Sequence, residues 1–352
     1  MSNKSSFFIP VLFLLFTGAC AFGDAITGVT DAVQSQVAPI TQEAMQALAA
    51  ATESPALPIA PVAPTKSAVP PKPVQKSTAP QPTAATPVVL NGSELPVRTT
   101  AHENIYVAPG VPDSFLQSVI GDAAFASQDL MQDEGWSGAP RVSIFVFPSQ
   151  QVWLQGIAQI GQLPQNEVQC QAQLKGDAWI TISGTAHPGV YIYPIQQSSF
   201  DMLHMLAHEY THAIQRQVLG DAVAVPDWFI EGMAEAEGWR IAGQTDARMD
   251  QVEHAQVMAL LRVAIRRRQL SPLTSISSQQ SWQARLERPR AATLEYGESQ
   301  IAVEYLQQIK GSGAPMEILR ATAALNNFNA AFQQVTQMSV QQFQNTFEQS
   351  IR

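Results

Sequence analysis

Only two cysteines, Cys20 and Cys170, occur in 352 residues. A disulfide framework is therefore excluded. Cys20 closes an apolar run, which gives it a separate explanation. Cys170 has no evident partner and reads as a small buried apolar side chain. Cations are in short supply as well: 20 Lys and Arg stand against 29 Asp and Glu, a net charge of -9. The basic residues are scattered, and nucleic-acid binding needs a clustered basic face, so no nucleic-acid partner is expected. The acidic balance favours solubility and says little about substrate. No aromatic residue occurs between Phe22 and Tyr106, and no internal repeat is visible. The apolar stretch Phe7 to Phe16 is interrupted by Pro10 and falls short of the roughly 20 apolar residues that span a bilayer.

What is present divides the chain. Residues 1–20 read as an export signal: Lys4 is a positive n-region, Phe7 to Phe16 the apolar centre, and Gly18 and Ala19 the small residues that follow. Thr17-Gly18-Ala19-Cys20 resembles a bacterial lipobox, with Thr17 where leucine is common. In that reading Cys20 carries a lipid that ties the chain to a membrane. The alternative is ordinary cleavage at Ala19-Cys20-Ala21. Either route places the mature chain outside the cytoplasm, as a secreted or cell-envelope protein. Residues 21–52 are rich in Ala and Gln and read as helical or disordered. Within 53–98 lie 11 of the 24 prolines, from Pro55 to Pro96. Such a stretch builds no core and is expected to be an extended linker.

The folded part is expected over 99–352, where 45% hydrophobic content in the whole chain leaves ample apolar surface for a core. Helical spacing of Phe115, Val119, Ile120, Ala123 and Leu130 predicts a helix over 113–132. Residues 141–147 alternate and are β-branched or aromatic, a strand ended by Pro148. A helix over 151–161 and strands at 178–183 and 189–193 follow, joined by a turn through Gly184, His187 and Pro188. From about residue 199 the pattern is helical.

The chemistry lies in His208-Glu209-Tyr210-Thr211-His212, an HExxH sequence. Residues four apart share a helix face, so His208 and His212 can present both imidazoles to one ion. Glu209, one step round, can take a proton from a water polarised by the metal and pass it to a leaving amine. Phe200 to Val218 contains no Gly or Pro, which favours a helix. A catalytic zinc site needs a third protein ligand and an open position. Eighteen residues separate His212 from Glu231, which lies in Trp228-Phe229-Ile230-Glu231-Gly232-Met233-Ala234-Glu235. Pro226 suits the start of that second helix.

HExxH, eighteen residues and then this glutamate segment resemble the gluzincin metallopeptidases. The closest resemblance is to the peptidase-MA-like domains of bacterial secreted proteins and lipoproteins, which carry W-x-x-E-G-x-A-E after the metal helix. It spans roughly 100–345, with specific motifs at 204–235 and 296–306. It implies a zincin-like α+β fold, with a small N-terminal sheet packed on a mostly helical C-terminal half. It implies Zn2+ as cofactor, held by His208, His212 and Glu231, with Glu209 catalytic and a peptide or protein as substrate. By the same resemblance Glu235 contacts a metal histidine, Tyr296 donates a hydrogen bond to the reaction's oxyanion, and substrate backbone lies along an edge strand at 178–183 or 189–193.

Two other donors need weighing. His204 extends the histidine stripe by a turn, yet three ligands from successive turns of one straight helix converge poorly, so it reads as a supporting or surface residue. Asp227 suits the positive end of a helix better than the metal. Arg266-Arg267-Arg268 reads as a solvated helix end. Two non-catalytic readings compete: a zinc-containing binding module on the same fold, and an envelope lipoprotein that merely docks.

Overall fold

The computed structural model describes residues 86–133, 141–166, 168–169, 179–182, 187–194, 198–220, 223–270, 272–276, 281 and 291–352. The signal at 1–20 with Cys20, the segment 21–52, most of the Pro-rich stretch and Cys170 lie outside these residues. Chain pairing begins earlier than the expected boundary near residue 99. A short hairpin joins β1 (Val89–Leu90) to β2 (Ser93–Glu94), and β3 (Val97–Thr99) follows. Residues 88–98 of the supposed linker are thus structured, because Val88, Leu90 and Leu95 bury their side chains.

A five-stranded sheet has the order β3-β4-β5-β7-β6. Strands β4 (Glu103–Val107), β5 (Val142–Val146) and β7 (Gly189–Ile192) run parallel in its centre. Strand β3 on one edge and β6 (Trp179–Ile182) on the other are antiparallel to their neighbours. The register aligns Tyr106, Phe145 and Tyr191. Their rings stack at 4.9 and 4.4 Å across the three strands, and period-two alternation puts Ile105, Ile144 and Val190 on the opposite face. Central strands covered on both faces explain why β5 and β7 are apolar almost throughout. Helix α1 (Asp113–Asp133) connects β4 to β5, and α2 (Gln150–Gln159) follows β5. The expected helices and strands thus appear, each within two residues of its predicted ends. The turn at 183–186 lies outside the described residues.

After β7 the described residues are mostly helical: α3 (Ser199–Leu219), α4 (Asp227–Gly243), α5 (Ala247–Arg266), α6 (Ala291–Lys310), α7 (Ala314–Leu325), α8 (Phe328–Thr336) and α9 (Val340–Ile351). Ser198 caps α3 by accepting from the Asp201 amide, which satisfies one of the free donors of the first turn. Helix α4 packs against both α3 and α6 and is buried nearly all round, its carboxylates Asp227, Glu231 and Glu237 included. Two glycines allow that close packing. A Cβ at Gly232 would sit 2.3 Å from the Ser299 carbonyl oxygen of α6, and one at Gly238 would sit 2.7 Å from the His204 ring of α3. Trp228 and Phe229 anchor the start of α4 among Phe328, Phe332 and Phe343. Arg266, Arg267 and Arg268 are exposed at the end of α5, where positive charge suits the helix dipole. Among the described residues no helix is long and apolar enough to cross a membrane.

Candidate metal centre

Helices α3 and α4 pack in opposite directions and face each other with residues spaced by four. From α3 come His204, His208 and His212; from α4 come Glu235, Glu231 and Asp227. One long side of the site is therefore imidazole and the other carboxylate.

Three donors converge at its centre. His208 Nε2 and His212 Nε2 are 3.0 Å apart. Glu231 Oε2 lies 3.4 Å from His212 Nε2 and 3.7 Å from His208 Nε2. Among the described residues, these three side chains form the one group able to hold a metal ion. A tetrahedral zinc with ligand bonds of about 2.0–2.1 Å keeps its donors about 3.3 Å apart, and the observed separations bracket that value. Two nitrogens and one carboxylate oxygen are also a zinc donor set.

Each of the other ring nitrogens faces a polar group, at hydrogen-bond distance for His212 and more loosely for His208. Glu235 Oε1 lies 3.4 Å from His208 Nδ1, while its second oxygen sits 2.9 Å from His204 Nε2. His204 in turn stacks on Trp239 with ring centres 4.0 Å apart. His212 Nδ1 lies 2.9 Å from Gln215 Oε1, and Gln215 Nε2 donates to the Ile230 carbonyl at 2.9 Å. Gln215 had no place in the sequence reading. Its signal, an amide three residues past a histidine, is shared by countless helices.

The electrostatics follow from the packing. Burial lowers the His208 pKa, yet the hydrogen bond to Glu235 and the charges of Glu235, Glu209 and Glu231 outweigh it, and the net result is a rise to about 9. Glu231 is held below the usual carboxylate range: burial opposes this, but His212 and His208 prevail. Glu235 is lowered as well, with burial outweighed by His204 and His208. Asp227 is pushed up to about 7, by burial first and by Glu231 next, against His212. It stays outside the convergent set, in the first turn of α4.

Glu209 follows His208 on α3, half-buried, and its charge is one of those that raise His208. Tyr296 lies in the second turn of α6 rather than at its opening, because the helix begins at Ala291. Its ring centre is 6.5 Å from that of His208, which brings it to the same site. Of the two strands considered for the edge, β6 is the edge strand and β7 is interior. Strand β6 also packs against α3, the helix that carries His208 and His212.

No protein-family model matches the chain. No curated protein matches it either. Among solved structures it is similar to an M1 zinc metallopeptidase from Deinococcus radiodurans, at 14% identity and a TM-score of 0.40, over 75% of this chain and 50% of that one. This chain thus spans about half the length of the metallopeptidase it matches, and a likeness so distant carries no weight for function.

Proposed function

We propose that this chain is a zinc-dependent peptide hydrolase that works outside the cytoplasm, built on a gluzincin-like domain. The observation that carries the reading is the meeting of His208, His212 and Glu231 around one point, with Glu209 next to it on the same helix. His208, His212 and Glu231 would hold the ion. Zinc, when bound there, supplies Lewis acidity that polarises a carbonyl and makes a water nucleophilic near neutral pH.

The chain's own residues do the rest. Glu209 takes a proton onto its carboxylate as water attacks the peptide carbonyl, then returns it to the departing amine nitrogen. Glu235 and Gln215 fix the two imidazoles so that each presents its Nε2. Tyr296 donates a hydrogen bond to the oxygen that gains charge in the transition state. Strand β6 offers an edge along which an extended peptide can add as a further strand. At the N-terminus Cys20 carries a lipid, and the Pro-rich segment holds the hydrolase away from the membrane.

Hydrolysis of quenched-fluorescence peptide libraries by the full chain, with and without Glu209→Gln, is the test. The variant is expected to keep its zinc and lose about 10²–10⁴-fold in turnover. A wild type that binds zinc and cleaves nothing, or a variant that cleaves as fast as wild type, overturns the proposal.

A further inference from the structure

We infer that Gln215 is a positioning residue that fixes the tautomer of His212 and ties it to the helix that delivers Glu231. The inference rests on the zinc reading of the site above. Gln215 is 1% exposed and spans two helices. Its Nε2 donates to the Ile230 carbonyl at 2.9 Å, and its Oε1 lies 2.9 Å from His212 Nδ1.

Only one orientation of the amide makes both contacts. If the side chain were flipped, its oxygen would face the Ile230 carbonyl oxygen, and two acceptors would meet. With the oxygen toward the ring, that oxygen can only accept, so the proton of neutral His212 must sit on Nδ1. The lone pair of neutral His212 is then on Nε2, the nitrogen that faces the convergence point. His208 Nε2 lies 3.0 Å and Glu231 Oε2 3.4 Å from that same atom.

Ile230 is the residue before Glu231. The chain of contacts from the Ile230 carbonyl through Gln215 to His212 therefore links the second histidine to the third ligand directly. The other histidine is handled differently, by the carboxylate of Glu235 on the facing helix. One ligand is thus oriented by a charged group and the other by a neutral amide, which spares the buried site another negative charge.

Two variants of the full chain separate this role from packing. Gln215→Met keeps an unbranched side chain of similar volume and removes both hydrogen bonds. Gln215→Glu keeps the acceptor toward His212 and loses the donor toward Ile230. Nitrogen-15 NMR of the metal-free protein, at a pH where the ring is neutral, reads the His212 tautomer, and chelator competition reads zinc affinity. Wild type is expected to show the Nδ1–H form. Gln215→Met should shift the ring toward Nε2–H and weaken zinc binding about 10–100-fold, while Gln215→Glu keeps the Nδ1–H form and recovers most of that loss. A Gln215→Met protein with the wild-type tautomer and affinity overturns the inference, and so does equal loss in both variants with no change of tautomer. If wild type binds no zinc, the hydrolase reading fails, and the tautomer comparison still decides the role of Gln215.

Discussion

A neutral imidazole offers a metal one nitrogen, so the partner of the other nitrogen decides which one is offered. At His208 that partner is the carboxylate of Glu235, and the same negative surroundings hold a proton on the ring up to about pH 9. Zinc must displace this proton. Its apparent affinity for the full chain should therefore rise with pH by about tenfold per unit until about pH 9 and then level off. In the metal-free chain the sign is the reverse. The folded-state pKa of His208 is raised, so its contribution to stability is complete below about 6.5 and is lost as pH rises through about 9. Titrations of zinc affinity and of melting temperature check both directions. Asp122, on α1, shows a related effect. Burial pushes its carboxyl up to about 6 from 3.8, and one oxygen is buried without a hydrogen-bond partner. Ionisation then costs the folded state nothing at low pH and the full amount above about pH 6. Asp122→Asn should stabilise the chain by on the order of 2 kcal/mol at pH 7.5 and hardly at all at pH 3.5, as read by denaturant unfolding. His208 and His212 were legible in the sequence because a spacing of four fixes a shared helix face. Gln215 was not, since its partners come from a fold that had yet to be known.

Helix α4 brings Glu231 to the histidines only because its neighbours come unusually close. The Gly232 contact with the Ser299 carbonyl leaves no space for a methyl group, and a backbone oxygen cannot rotate away. Gly232→Ala should therefore push α4 off α6, lower stability by about 1–3 kcal/mol and weaken zinc binding through the adjacent Glu231. Gly121→Ala is the control: nothing lies within 4 Å of the added methyl on α1, and alanine there should stabilise by about 0.5–1 kcal/mol. Denaturant midpoints and chelator competition distinguish the two. The long elements were readable because α1 repeats apolar residues at helical spacing and β5 is a run of β-branched and aromatic residues. The start of the fold was not. Strands of two and three residues have no periodicity to detect, and Val88, Leu90 and Leu95 sit in a proline-rich context that reads as linker.

The molecule as a whole sets its candidate site between two packed helices, one of which also packs against the sheet. A parallel-centred sheet ends in the antiparallel edge strand β6, and that strand lies beside the helix bearing both histidines. A stack of helices behind it carries the carboxylates and an aromatic cluster that locks α4 in place. A single cation at the centre would join α3 to α4, and any ligand that binds only the folded chain stabilises it by mass action, by about 2.7 kcal/mol at a hundredfold excess over Kd. The convergence of the three donors is therefore the claim on which catalysis, cofactor and stability all depend. Anomalous scattering at the zinc edge, from crystals of the full chain grown with zinc, tests it most directly. One peak is expected within about 2.1 Å of His208 Nε2, His212 Nε2 and a Glu231 oxygen. A peak elsewhere, or no peak between α3 and α4, would contradict it.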